Sequence, residues 1–216
     1  MYKTVVFDLD GTLLNTLTDL ADAGNRLCRK YGWPTHERQA YRYFVGNGIP
    51  KLVERLAPAD QRTPVLEAAL ADFKRDYGQH LRDTTAPYPG IPEMLAKLKA
   101  NGVQLAVFSN KADALAKEVV KDYFGTQYFT IVRGQMTGVA PKPAAEGTNA
   151  LLQALHADPA STLYVGDSNV DVETAHNANL PCCGAVWGFR TREELNAAGA
   201  EYLAENSDEL YDVIMK

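Results

Sequence analysis

Four stretches of this chain are apolar almost without interruption: TVVF (4–7), VQLAVF (103–108), TLYVG (162–166) and CCGAVW (182–187). A strand with one wet face alternates polar and apolar residues. A run that does not alternate is buried on both faces, as in a parallel sheet covered by helices. YFTIV (128–132) is a weaker fifth strand and EYLA (201–204) a short sixth. Helical patterns fill the intervals: PEMLAKLKANG and ADALAKEVVKDYFG, each with a glycine stop, and EGTNALLQALH. The last helix, NSDELYDVIM, opens with Asn206 and Glu209 spaced as a capping box. Strand and helix in alternation predict an α/β fold with a doubly wound parallel sheet.

One segment breaks the alternation. From about 15 to 83 the sequence carries only helical patterns. Leu17, Leu20, Ala21, Leu27, Cys28 and Tyr31 form one apolar stripe, and Val65, Leu66, Ala69, Leu70, Phe73 and Tyr77 a second. Between them lie two shorter helices around Gly46-Asn47-Gly48. The expected organisation is a core of residues 1–14 and 84–216 and an inserted all-α helical cap, 15–83, with LLNT and TTAPYPG as hinges. Such a module can close over the carboxyl end of the first strand, where open α/β sheets bind ligands.

Composition narrows the classes. The net charge of -5 argues against a nucleic-acid surface, so an anionic substrate needs local cations or a metal. No apolar run approaches the ~20 residues of a membrane span, and MYKTVVFDLDG is not expected to be a signal peptide. The three cysteines lack metal-ligand spacing and are expected to be reduced core residues, which fits a cytoplasmic protein. Monomer and homodimer both stay open, with no nucleic-acid or membrane partner expected.

The chemistry gathers where the strands end. Asp8 and Asp10 follow the first, with Gly11 and Thr12; Ser109 and Asn110 follow VQLAVF; Lys142 stands in APKPAAEG, before a helix whose first turn suits Pro143. Asp167, Ser168 and Asp171 follow TLYVG. Converging carboxylates repel one another and call for a hard divalent cation, with Mg²⁺ the best match. The metal and Lys142 would offset the repulsion between an attacking carboxylate and a phosphate. Asp8 can attack phosphorus, and Asp10 can protonate the leaving oxygen and later deprotonate water. Ser109 and backbone N–H groups would hold phosphate oxygens.

Each part also has a plainer explanation. An Asp-x-Asp pair is often a turn, Ser109-Asn110 a helix cap, Lys142 a solvated lysine, and GDSNVD a loop capped at Asp167 or Ser168. Their coincidence, each after an apolar strand and in this order, favours the chemical reading.

With DLDGT, Ser109, Lys142 and GDSNVD in place, the chain resembles the haloacid dehalogenase superfamily along its whole length, inserted helical cap included. VGNG (45–48), SNK (109–111) and VWGFRTREEL (186–195) make it most similar to the phosphoglycolate phosphatase-type hydrolases. The resemblance implies a Rossmann-like core, with Asp8 as nucleophile, Asp10 as acid/base, and Thr12, Ser109, Asn110 and Lys142 at the phosphate. It implies a magnesium site of Asp8, Asp10 and Asp167, supported by Asp171 and Ser168. Asp10 separates the chain from dehalogenases and cation pumps, and Thr12 favours hydrolases over sugar-phosphate mutases. Ala145 stands where relatives often have a second proline, and Asn15 where many have Asp or Ser.

The substrate this implies is a small phosphorylated metabolite, with 2-phosphoglycolate first. Pyrophosphate, a nucleotide and a mutase's sugar phosphate are alternatives, and a non-catalytic binding module is the remote one. Gly46, Asn47 and Gly48 form the candidate substrate loop of the cap, with Lys51, Arg42 or Arg55 available to a carboxylate; a simple turn and a solvated helix face are the alternatives there. No histidine receives a catalytic role, His176 included.

Overall fold

The computed structural model describes residues 1–60 and 62–216, and the chain divides into two units. Met1–Leu14 and Pro87–Lys216 form one, Asn15–Ala86 the other.

The first unit is built on a six-stranded sheet. In chain order its strands are β1 (Thr4–Phe7), β2 (Gln104–Ala112), β3 (Phe129–Gln135), β4 (Thr162–Gly166), β5 (Cys182–Ala185) and β6 (Tyr202–Ala204). Every neighbouring pair is parallel, in the spatial order β3-β2-β1-β4-β5-β6. The order reverses at β1, which is flanked by β2 and β4, and ligands gather outside the strand ends at such a switch point. All six predicted strands are present. Each residue of β1 and β4 is buried, as their unbroken apolar runs require.

Element boundaries depart from the sequence reading at several points, and three of these bear on the site. β2 runs on past Phe108 to Ala112, with its register against β3 shifted between the two, so Ser109 and Asn110 lie in the strand and not in a loop after it. β5 stops at Ala185, and Val186 and Trp187 begin a turn. The helix after Lys142 starts at Ala145 with Ala144 as its N-cap, so Pro143 precedes the helix instead of sitting in its first turn; the Lys142–Pro143 bond is cis.

Helices cover both faces. On one, Val6, Ala106, Tyr164 and Cys182 pack with Leu151, Leu152 and Leu155 of the helix Ala145–Leu155 and with Val172 and Ala175 of Asn169–Asn177. Ile91–Ala100, Asp113–Phe124 and Ser207–Met215 also bury apolar stripes, including Met94, Leu95, Val119, Phe124, Leu210 and Ile214. Asn206 caps the last helix by accepting from the N–H groups of Asp208 and Glu209. Glu209 reaches back to the Glu205 N–H instead of that of Asn206, so the predicted box closes one residue early. A short helix, Arg192–Ala197, was not foreseen; its box pairs Thr191 with Glu194. Cys28, Cys182 and Cys183 are buried and free.

The second unit is helical: Leu17–Tyr31, Arg38–Phe44, Ile49–Leu56 and Arg62–His80. Leu20, Ala21, Leu27 and Cys28 of the first predicted stripe are buried, as are Ala69, Phe73 and Tyr77 of the second. Asp19, in the first turn of Leu17–Tyr31, is buried too. Its carboxylate accepts from the backbone N–H and hydroxyl of both Thr84 and Thr85, at 2.5–2.9 Å. A single side chain thus joins the two ends of the unit.

Candidate active site

Parallel register brings the strand ends together. Phe7 pairs with Val107 of β2 and with Val165 of β4, so Asp8 and Asp167 leave the sheet from neighbouring strands, next to β2, which carries Ser109. The Asp8 N–H still donates to Val165 O at 2.8 Å. The chain then turns through Gly11 at φ +91°, where a Cβ would fall on the Asp167 carboxylate. Gly188 leaves room on the other side, since a Cβ there would strike Asp167 Cβ and Gly11 O. Trp187 Nε1–H donates to Thr12 O at 3.0 Å and ties the two turns together.

Lys142 is the centre of charge. Its side chain is only 2% exposed, and Nζ lies 2.6 Å from Asp171 Oδ1 and 2.9 Å from Asp8 Oδ1. The ammonium also donates to Tyr164 Oη at 3.2 Å and Phe108 O at 3.3 Å. An ammonium has three hydrogens, fewer than the four oxygens of Asp171, Asp8, Tyr164 and Phe108 that surround it. Asp8 Oδ1 faces the same ammonium as a buried ion pair, and no other donor among the described residues reaches it. Burial would lower the lysine, but Asp171 and Asp8 outweigh it and hold it well above the ordinary lysine range. For Asp8, burial prevails over Lys142 and, with Asp171 and Asp10, pushes the carboxyl up to about 6.

Asp171 is held from behind. Ser168 caps the helix Asn169–Asn177, and its N–H and hydroxyl donate to Asp171 Oδ2 at 3.1 and 2.7 Å. Gly166 has no room for a Cβ, which would fall on that same carboxylate. Asp167 stands just before the helix and accepts from Thr12 Oγ1 at 3.0 Å and from the Phe189 N–H at 2.8 Å. Burial first, then Asp171 and Asp8, raise its carboxyl well above the usual range despite those donors.

The other predicted residues fall as follows. Asp10 turns its carboxylate to Lys111, with Nζ at 3.0 and 3.2 Å from its two oxygens. Ser109 Oγ accepts from the Lys111 N–H at 3.3 Å. Asn110 grips the backbone of Lys142 from both sides, accepting from its N–H at 2.9 Å and donating to its carbonyl at 3.2 Å. Thr12 faces Asp167. In the helical unit, Gly46 and Gly48 both take positive φ, and the Asn47 side-chain Oδ1 accepts from Arg55 at 2.8 Å. Arg55 also donates to Phe44 O and Tyr43 O, while Lys51 pairs with Glu54.

Oxygens of Asp8, Asp167 and Asp171 come within 4.8 Å of one another. All three already have partners, Asp8 and Asp171 in Lys142 and Asp167 in Thr12 and the Phe189 N–H. Asp8 and Asp167, both assigned to the metal in the sequence reading, could offer further lone pairs to a cation. Two raised carboxylates, one with an oxygen that only Lys142 reaches among the described residues, suit a hard divalent cation, whose charge would offset their repulsion.

Two residues were overlooked in the sequence, Lys111 and Tyr164. Both left a signal. The tyrosine hydroxyl in the middle of the strand TLYVG needs a buried partner, and a lysine directly follows Ser-Asn at the end of an apolar strand.

The sequence pattern of the haloacid dehalogenase-like hydrolase family matches residues 5–185. The chain belongs to that family. It is an enzyme, a phosphatase of the phosphoric monoester hydrolase class. It is 32% identical over 217 residues to the phosphoglycolate phosphatase of Chromobacterium violaceum, covering 98% of this chain and 96% of the relative. It is also 32% identical over 200 residues to that of Pseudomonas putida, covering 90% of this chain and 73% of the relative. The crystal structure of a candidate phosphoglycolate phosphatase from Lactobacillus delbrueckii subsp. bulgaricus superposes with a TM-score of 0.93 at 28% identity, over 99% of this chain and 98% of the other. No helix among the described residues is long and apolar enough to cross a membrane.

Proposed function

We propose that the chain is a magnesium-dependent, cytoplasmic phosphatase that hydrolyses a small phosphate monoester, 2-phosphoglycolate foremost, through an aspartyl-phosphate on Asp8. The observation that carries this reading is Asp8 Oδ1: buried, paired with an ammonium at 2.9 Å, and reached by no other donor among the described residues. An anion left in that state is poised to bind a cation or attack an electrophile. The substrate rests on the two 32% identical relatives, each a phosphoglycolate phosphatase. The helical unit, inserted directly after the Asp8–Leu14 turn, takes the part of a cap.

Asp8 and Asp167 would hold the magnesium ion, which supplies charge against the substrate phosphate. Asp8 attacks phosphorus in line; the ester P–O bond breaks, and Asp10, which enters the step protonated, gives its proton to the departing oxygen. Asp10 next takes a proton from water, whose oxygen attacks the same phosphorus. The bond to Asp8 breaks, inorganic phosphate leaves, and both aspartates return to their starting states. Lys142 holds phosphate oxygens, kept in place by Asp171, and the Ser109 hydroxyl donates to them.

The test is phosphate release from 2-phosphoglycolate, pyrophosphate, β-glucose 1-phosphate and a nucleotide, with Mg²⁺ and with chelator. Magnesium-dependent release led by 2-phosphoglycolate, and lost in Asp8→Asn, is expected. A different leading ester would replace the substrate and keep the chemistry. No release under any condition, or an active Asp8→Asn, overturns the reading.

A further inference from the structure

Asp10 is met by a lysine for which the steps above give no task. Lys111 Nζ lies 3.0 and 3.2 Å from the two Asp10 oxygens, and its side chain is 2% exposed against 15% for Asp10. Burying an ammonium costs several kcal/mol, and replacing a buried ion pair by apolar residues is often neutral or stabilising. Lysine is therefore a poor choice if the end of β2 only needs packing.

Its backbone is fixed as firmly as its head. The Lys111 N–H donates to Ser109 Oγ at 3.3 Å, and its carbonyl lies where a Cβ on Gly134 would have to go. Gly134 donates in turn to Asp113 Oδ1 at 2.9 Å, which pins β3 to the start of the next helix. The side chain thus leaves a fixed point, and its ammonium faces both oxygens of one carboxylate. That contact sets the plane of the Asp10 carboxylate.

We propose that Lys111 is a positioning residue for Asp10, fixing the orientation from which that carboxylate exchanges protons with the leaving oxygen and with water. The inference rests on the reading of Asp10 as the acid/base. Lys111 acts through Asp10 on turnover, and does not bind substrate.

The test is a double-variant cycle on the full chain, with kcat and KM measured on the best substrate of the panel. A positioned acid or base contributes about 10²–10⁴-fold, so Lys111→Met should lower kcat by about 10–100-fold with KM within about twofold. Lys111→Arg, which keeps a cation, should recover part of the loss. In an Asp10→Asn background, Lys111→Met should change kcat by less than about twofold, because there is no longer an acid/base to position. A packing role would instead multiply the two losses.

Multiplied losses, an unchanged kcat in Lys111→Met, or a raised KM at unchanged kcat each overturn the inference. If Lys111→Met does not fold, Lys111→Gln in the same cycle decides. If Asp10→Asn alone turns over like the wild type, the underlying assignment of Asp10 fails. If Asp10→Asn is slow and Lys111→Met is not, only the present inference fails.

Discussion

Lys142 and Asp171 meet at 2.6 Å, and at 2% and 1% exposure neither side chain reaches solvent. The pair places a cation under Asp8, and Asp171 is itself oriented by the Ser168 cap. Removing one partner of a buried pair strands the other. Asp171→Ala is expected to cost about 3–5 kcal/mol in urea unfolding, in line with other broken buried pairs. Asp171→Asn keeps an acceptor and should cost less. Both should lower kcat, because Lys142 then loses the group that holds it.

Magnesium is expected to raise the melting temperature by mass action, by the equivalent of about 2.7 kcal/mol at a hundred times its dissociation constant. Asp167→Asn should lose most of that increment while the chelated protein melts no lower than the wild type. The reason is that the variant removes a carboxylate held raised by burial, Asp171 and Asp8. Thermal melts with Mg²⁺ and with chelator check this. An increment equal in the two proteins would exclude Asp167 as a ligand.

Asp19 accepts four hydrogen bonds at 2% exposure, two through backbone N–H groups. Hydrogen bonds to a charged group contribute about 1.5–3 kcal/mol each, and they are not additive here because they share one carboxylate. Asp19→Ala should cost about 3–5 kcal/mol, since it leaves buried donors without acceptors. Asp19→Asn, with one carbonyl oxygen remaining, should fall between the two. Urea midpoints of the three proteins give the order.

The pH dependence of the helical unit should carry the mark of Asp72. Lys30 and Tyr31, then Arg75, hold its carboxyl down at about 2 from an ordinary 3.8. A carboxyl lowered in the folded state stabilises above its unfolded value and loses that contribution as pH falls toward the folded one. The stability difference between wild type and Asp72→Asn should be full at pH 6 and shrink between about pH 4 and 2. Urea midpoints across that range test it; a constant difference would show that the ion cluster is not its source.

Much of the sheet was legible because burial on both faces leaves an unbroken apolar run, as in Val5, Val6 and Phe7 or Leu163, Tyr164 and Val165. Strand ends were not. Nothing in Ser109-Asn110-Lys111 says that β2 continues, because that continuation depends on β3 lying alongside with a shifted register. Residue types at the candidate site were visible, since acids and a lysine after apolar strands are conspicuous. Their pairings were not: Asp10 with Lys111, Thr12 with Asp167 and Asn110 with the Lys142 backbone each join residues more than 30 positions apart. Asp19 was hidden for a different reason. In sequence it is an ordinary acid in a first helical turn, and its task appears only when residues 84 and 85 return to it.

That return has a topological consequence. A long insertion normally burdens its host with the entropy of closing a loop, a cost that grows only slowly with length. Here the insertion closes itself: Asp19 clasps Thr84 and Thr85, and the chain passes between the units at Leu14–Asn15 and Ala86–Pro87. To the sheet, everything between these points is the equivalent of a short connection. A segment so closed can lengthen, shorten or be exchanged for another in the course of descent while the strand order around β1 stays as it is.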